Sequence, residues 1–514
     1  MAKEFFCTAT EPIVETKAGK LHGYRLGTTY HFLGVKYAEC KRWQQPTPVE
    51  PWEGVKEAMS YGYITYPGSP DSPNGDLTVP HRFWPKSEDC LNLNIWSQSI
   101  DPAAKKPVLV WMHGGGFASG SAIEMVAYDG VNLSEYGDVV VVSINHRLNV
   151  LGFLDLSDYG EKYWNSGNCG MADLVAALQW IHDNIANFGG DPENVTIFGQ
   201  SGGGGKVSTL MQIPAADGLF HKVIVESGLR SVADRLVDKS FSEKVLQGLF
   251  RKAGTEDIEV LAAMPVEQLL NYVSELGKEG VNTFGWGPVV NDWFVGHALK
   301  DGFTENGKKI PMMLGSNIAE MGFGAPAAKH ELSAEERLAF VQKAFPDAAT
   351  EEVDKLIALF TKAWPNKNII DAVFVDDAYR PSTIEYMDLR AKSGCAATYN
   401  YVFAFEFPYM GGRSAWHCSE IPFVFHNTDK VAICNKTGVS ELLEDQMCSA
   451  WVNFARTGDP NNEYLPVKWP EWTTDAGATM VFDETCEVKV DFDRELAACH
   501  QALHYRPFVP KMNF

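Results

Sequence analysis

The 514-residue chain is poor in basic side chains, with 44 Lys and Arg against 66 Asp and Glu and a formal charge of −22 at pH 7. Such a surface repels phosphate backbones and anionic lipid, so nucleic acid and polybasic membrane docking are excluded. No apolar run approaches the ~18 residues that a bilayer-spanning helix needs, and no membrane partner is expected. The first residues, MAKEFFCTATEP, contain Lys3 and Glu4 but no apolar core, so a secretory signal is not expected either. The ten cysteines are scattered without C-x-x-C spacing. That pattern indicates neither a disulfide framework nor a zinc ribbon, and reduced thiols in a cytoplasmic protein are the expectation. No low-complexity tract, internal repeat or long charge run divides the chain.

What is present is an alternation of strands and helices. The run PVLVWM (107–112) is apolar and ends in glycines, as a buried strand entering a loop should. DVVVVSIN (138–145) is apolar on both faces, the mark of a strand covered on both sides. In the next segment, 171–189, Leu174, Leu178, Ile181 and Ile185 recur at helical spacing. Further strands are predicted at 195–198, 221–228 and 310–317. This rhythm predicts an α/β chain with a large, mostly parallel central sheet and helices on both faces. The charged helical stretches at about 232–280 and 331–393 fall between strands. They read as insertions capping one domain that spans 1–514, rather than as separate domains.

Two motifs carry chemistry. Gly199-Gln200-Ser201-Gly202-Gly203 follows the strand VTIF directly, and G-x-S-x-G at a strand end is a nucleophile elbow. The turn is so tight that flanking side chains would strike backbone, which leaves the Ser201 hydroxyl projecting above the sheet. Upstream, His113-Gly114-Gly115-Gly116-Phe117 follows PVLVWM. Three glycines let a backbone present amides to a developing oxyanion, where losing one donor costs about 3 kcal/mol. A phosphate loop is disfavoured because no G-K-[ST] follows. A serine needs a base, and the base needs an acid, in the chain order Ser, acid, His. Glu320 lies just past the strand ending at Asn317. His417, His426, His500 and His504 follow it at suitable distance, and spacing alone does not choose among them.

Together HGGGF, SEDCLNLNIW (87–96), NHRLNVLGFL (145–154), the run from Gly167 to Gly204 and the late FARTGDPNN resemble the type-B carboxylesterase family, the cholinesterase-like branch of the α/β-hydrolases. The motifs run in family order from about residue 13 to about 490, in the manner of a bacterial carboxylesterase. The resemblance implies the α/β-hydrolase fold, with helical insertions capping an active-site gorge. It also implies a serine carboxylesterase working through an acyl-enzyme, with no cofactor and no metal. By the same resemblance Ser201 is the nucleophile, Glu320 the acid and His417, in HCSEIPFVF, the base. The amides of Gly115, Gly116 and Gly202 form the oxyanion hole, and Ser227 stands behind the acid. Arg147 with Asp173, and Arg42 with Glu88, are matched as structural pairs.

There are departures from the family pattern. Gln200 replaces a usual Glu, which removes a negative charge and weakens any attraction for a cationic leaving group. Gly202 replaces a usual Ala and, with Gly204 and Gly205, is expected to loosen the nucleophile helix by roughly 1 kcal/mol per position. Cys90 lacks the cysteine partner that secreted relatives supply near Thr65. The sequons at Asn132, Asn194 and Asn435 are read as chance.

Aromatic side chains suggest an apolar cleft for hydrophobic small-molecule esters. Phe284, Trp286, Phe117, Trp84, Phe323 and Trp416 are its candidate lining, with Phe83 and Tyr409 nearby. Arg413 is the cation to watch beside His417. The same machinery would serve amide, carbamate or thioester bonds. A non-catalytic adhesion module on this fold would have lost the nucleophile or base, and both are present.

Overall fold

The computed structural model describes residues 3–67, 78, 80–229 and 239–503. A twelve-stranded sheet runs through it. Nine of its strands frame the site: β1 (Thr29–Lys36), β2 (Asn92–Ser97), β3 (Lys106–Met112), β4 (Val140–Ile144), β5 (Gly190–Gln200), β6 (Lys222–Glu226), β7 (Met312–Asn317), β8 (Thr398–Phe403) and β9 (Ala478–Phe482). Their order across the sheet is β1-β2-β4-β3-β5-β6-β7-β8-β9. Short strands Phe5–Phe6 and Tyr24–Leu26 extend one end, and Glu487–Val490 extends the other. From β4 to β9 every neighbour is parallel, while the pairings of β1 with β2, β2 with β4 and β9 with the last strand are antiparallel. This is the mostly parallel sheet of an α/β-hydrolase.

Alternation along each strand covers both faces. Val108, Val110 and Met112 of β3 enter one apolar cluster, and Leu109 and Trp111 enter the other. In β4, Val140, Val142 and Ile144 sit with the first group and Val141 with the second. Successive side chains of a strand point to opposite faces, so a strand apolar at every position must be buried on both. Helix α1 (Cys169–Asn184) covers the first face, and its Leu174, Leu178 and Ile181 are fully buried there. Asp173 of α1 pairs with Arg147 in two contacts, 2.8 Å at Nε and 2.6 Å at Nη2, with both side chains buried. Arg147 also donates to the carbonyls of Lys41 and Gln44, so it ties the N-terminal segment to α1. Arg42 grips Glu88 and donates to the carbonyls of Leu261 and Met264.

Helices occupy both expected insertions: Lys239–Ala253, Ile258–Ala263 and Val266–Lys278 in the first, Ala334–Ala344, Thr350–Ala363 and Arg380–Lys392 in the second. Residues 232–238 of the first insertion lie outside the described residues. Among the described residues no helix is long and apolar enough to cross a membrane.

The parallel arrangement has one consequence for function. Strands β3, β5, β7 and β8 all end on the same edge of the sheet, and each motif begins where its strand ends. His113 follows β3, Ser201 follows β5 and Glu320 follows β7, while His417 comes from the connection beyond β8. Sequence separations of up to 304 residues therefore collapse to one crevice at the carboxyl ends of the strands.

Candidate active site

Ser201 sits between β5 and helix α2 (Gly202–Leu210) with φ 56° and ψ −124°. A non-glycine residue at positive φ is strained, and such strain persists only where the surroundings hold it. Here its amide donates to the Glu226 carbonyl at 2.8 Å, and its carbonyl accepts from Gly205 at 3.0 Å. The turn thus presents the side chain away from the sheet.

Glu320 is fully buried, and both its oxygens are engaged. One accepts from the Ser227 hydroxyl at 2.5 Å and from the Asn317 amide at 2.7 Å. The other lies 2.5 Å from His417 Nδ1. Backbone bonds fix the two loops together: His417 donates to the Glu320 carbonyl at 2.9 Å and Ala319 to the Ala415 carbonyl at 3.1 Å. Of the four candidate histidines, His417 is the one described residue that contacts Glu320. His426 pairs with Asp445 at 3.0 Å and His500 with the Val373 carbonyl at 2.9 Å, while His504 lies outside the described residues.

Burial disfavours the His417 cation, yet the Glu320 charge and hydrogen bond, with Glu420 and Asp376 behind it, hold its pKa above the ordinary imidazole value. Glu420 and Asp376 are themselves raised, first by burial and then by the Glu320 charge.

Several contacts had no sequence signal. The Tyr379 ring stacks on the His417 imidazole at 5.3 Å and 9°. Asp376 accepts from the amides of Ala378, Tyr379 and Arg380, which starts helix α3 (Arg380–Lys392) and places that ring. Cys418 holds φ 74°, and its thiol donates to Gln200 Oε1 at 3.1 Å. Gln200 Nε2 in turn lies 3.3 Å from His417 Nδ1. The thiol therefore orients the amide that replaces the usual carboxylate.

Gly115 and Gly116 take φ of 82° and 63°, and their amides, like that of Gly202, donate to no protein acceptor among the described residues. Gly202 is not merely a loose start to the helix. A Cβ there would lie 2.3 Å from the Gly116 oxygen and 2.4 Å from its nitrogen, so the glycine loop rests directly on the Ser201 turn. Gly202→Ala is expected to push that loop away, lowering the thermal melt and cutting kcat roughly 10²-fold, the loss seen when one oxyanion donor is removed, with KM within about twofold. Steady-state kinetics check this, and an unchanged kcat would show that the loop tolerates the methyl group.

The candidate lining is scattered in exposure. Phe284 is 71% exposed, Phe323 is at the surface, and Phe117 and Trp84 are half-buried. Phe117 packs edge-on against Phe153 and Trp84 against Tyr61. Trp286 is buried against Phe241, its indole N–H on the Thr283 carbonyl. Trp416 is buried on Phe407 and, with Cys418, borders a small pocket of about 10 Å³. Arg413 donates to the carbonyls of Gly322 and Phe323.

Comparison with known proteins meets this geometry. Residues 10–499 match the carboxylesterase family. The chain belongs to that family. A para-nitrobenzyl esterase of Bacillus subtilis is 32% identical over 506 residues, covering 95% of this chain and 98% of the relative. Among solved structures, an esterase from Clostridium hathewayi that can hydrolyse aliphatic aromatic polyesters superposes with a TM-score of 0.92 at 45% identity, covering 98% of this chain and 100% of that one. Carboxylesterase EST55 of Geobacillus stearothermophilus gives 0.74 at 33%, covering 95% and 99%. This carboxylesterase is a hydrolase of carboxylic esters, and serine chemistry is typical of its family.

Proposed function

We propose that Ser201, His417 and Glu320 act as nucleophile, base and orienting acid on apolar small-molecule esters. Ser201 Oγ attacks the ester carbonyl while His417 Nε2 takes its proton. The amides of Gly115, Gly116 and Gly202 receive the oxyanion. His417 then protonates the leaving alcohol, and water repeats the cycle on the acyl-enzyme. The observation that carries this reading is the 2.5 Å contact of Glu320 with His417 Nδ1, which leaves Nε2 free for the serine on the adjacent strained turn. Phe117, next to the glycine loop, and Phe323, three residues past Glu320, support an apolar ester, and Gln200 in place of a carboxylate argues against a cationic leaving group.

Pre-steady-state hydrolysis of p-nitrophenyl acetate, butyrate and octanoate tests this. A burst of one p-nitrophenol per chain, followed by slower turnover, is expected with at least one ester. No burst and no turnover with any of the three would sink the proposal.

We also read the chain as one domain, supported by two apolar clusters on the two faces of a single sheet. The charge of −22 supports small molecules over nucleic acid or anionic membrane as partners. A reducing, cytoplasmic compartment is inferred from ten unpaired thiols.

A further inference from the structure

Lys206 lies five residues after Ser201, inside helix α2, and is completely buried. Its Nζ donates to the His113 carbonyl at 2.8 Å, and among the described residues it makes no ion pair, Glu124 being the one carboxylate whose charge it feels. A buried ammonium without a counterion is costly and rarely kept without a use. The groups facing it come from three elements. Glu124 lies in the connection after the glycine loop. His113 and His146 stand at the ends of β3 and β4, with their rings stacked at 5.2 Å. Burial and the Lys206 charge hold both imidazoles far below their ordinary pKa, so they stay neutral. Burial also lowers Lys206 itself, to about 7, against the pull of Glu124.

The location gives this cation its meaning. His113 is the first residue of the glycine loop, and α2 is the helix that begins at the nucleophile. Gly203 lets that helix press onto β3, since a Cβ there would sit 1.9 Å from the Met112 oxygen. Along the same helix face, one turn on, Lys206 reaches the next carbonyl. At the far side of the His113–Gly114 peptide, a Cβ on Gly114 would be 3.5 Å from Ser201 Cβ. The ammonium therefore stands beneath the peptide that launches the loop, one residue from the reacting centre.

We propose that Lys206 is a positioning residue for the oxyanion loop: its hydrogen bond to the His113 carbonyl fixes the loop against the nucleophile helix, and its buried charge favours the oxyanion above it. This rests on the roles given to Ser201 and to the amides of Gly115, Gly116 and Gly202.

The test uses the full chain with Lys206→Met, which keeps the apolar stem, and Lys206→Gln, which keeps a donor without the charge. Three quantities are read: kcat and KM for p-nitrophenyl butyrate, the affinity of an alkyl trifluoromethyl ketone that forms an oxyanion on serine, and stoichiometric sulfonylation of Ser201 by mass spectrometry. In Lys206→Met, kcat is expected to fall about 10- to 100-fold, less than or comparable to loss of a direct donor. KM should stay within about twofold, the ketone should weaken in parallel and Ser201 should still be sulfonylated. Lys206→Gln should fall between. A folded Lys206→Met with kcat and ketone affinity within threefold of wild type overturns the proposal. Failure of Ser201 to label in the wild type would instead overturn the nucleophile assignment.

Should both variants misfold, the wild type decides. Lys206 is charged below its pKa, so kcat should drop to a lower plateau as pH rises through about 7 and beyond. His417 moves kcat in the opposite sense, and a profile that only rises to a plateau overturns the proposal.

Discussion

Ser201→Ala is expected to lower kcat for p-nitrophenyl butyrate by roughly 10⁴- to 10⁶-fold while the thermal melt stays near that of the wild type. The size follows from what remains. Glycine-loop amides and the apolar cleft still bind and polarise the ester, but no acyl-enzyme forms, and water must attack without a positioned nucleophile. Removing the serine of such a unit costs about as much as removing the whole unit, because its members act together. Fold stability should barely change. Alanine keeps the Cβ and the same strained φ of 56°, and the turn is held by backbone bonds to Glu226 and Gly205 rather than by the hydroxyl. Activity within tenfold of wild type in a protein free of contaminating esterase would remove Ser201 from the mechanism.

Glu320→Gln should cost about 10³ to 10⁴ in kcat, for a reason readable in the hydrogen bonds. The side of Glu320 facing Ser227 and Asn317 receives two donors, one of them a backbone N–H that cannot reverse. A glutamine would turn its oxygen to that side and its NH₂ toward His417 Nδ1. Nδ1 would then have to accept, the proton would move to Nε2, and the imidazole could no longer take a proton from serine. Loss of the correct tautomer has an effect of roughly 10⁴ in enzymes with this arrangement.

The pH profile moves as well. His417 is raised in the native enzyme, chiefly by Glu320 once burial is overcome, so its neutral form appears only above that raised pKa. Activity of the wild type is therefore lost as pH falls through it. Without the carboxylate the cation loses its partner, so the residual activity should persist to lower pH. Profiles of kcat/KM for both proteins check this, and an acid limb that stays in place or moves upward would contradict the role given to Glu320.

Much of the fold was legible because the signals were local. Strands β3 and β4 carry apolar residues on both faces, which a sheet covered on both sides explains, and the helix after β4 keeps its period of 3.6 through Leu174, Leu178 and Ile181. The tight turn at Ser201 and the glycine loop were equally plain, since each needs small residues at fixed offsets beside a strand end. The acid was placed by chain order and by resemblance to the family. Spacing alone did not choose the base, because four histidines satisfied the order; resemblance of HCSEIPFVF to the family pattern pointed to His417, and the Ala415–His417 segment packs on the Glu320 loop.

The sequence by itself determined the alternation of elements, the sharp turn at Ser201, the glycine-lined backbone after His113 and the excess of acid, all consequences of side-chain size, periodicity and charge. Tertiary structure alone decided which groups stand behind those motifs. The Tyr379 ring over His417, the Cys418 thiol on Gln200 and the Lys206 ammonium under His113 have no local pattern, because each joins residues brought together only when parallel strands end on one edge. Gly202 shows the same division in one residue. In the sequence it is a flexible position, and in the fold it is the space into which the glycine loop fits.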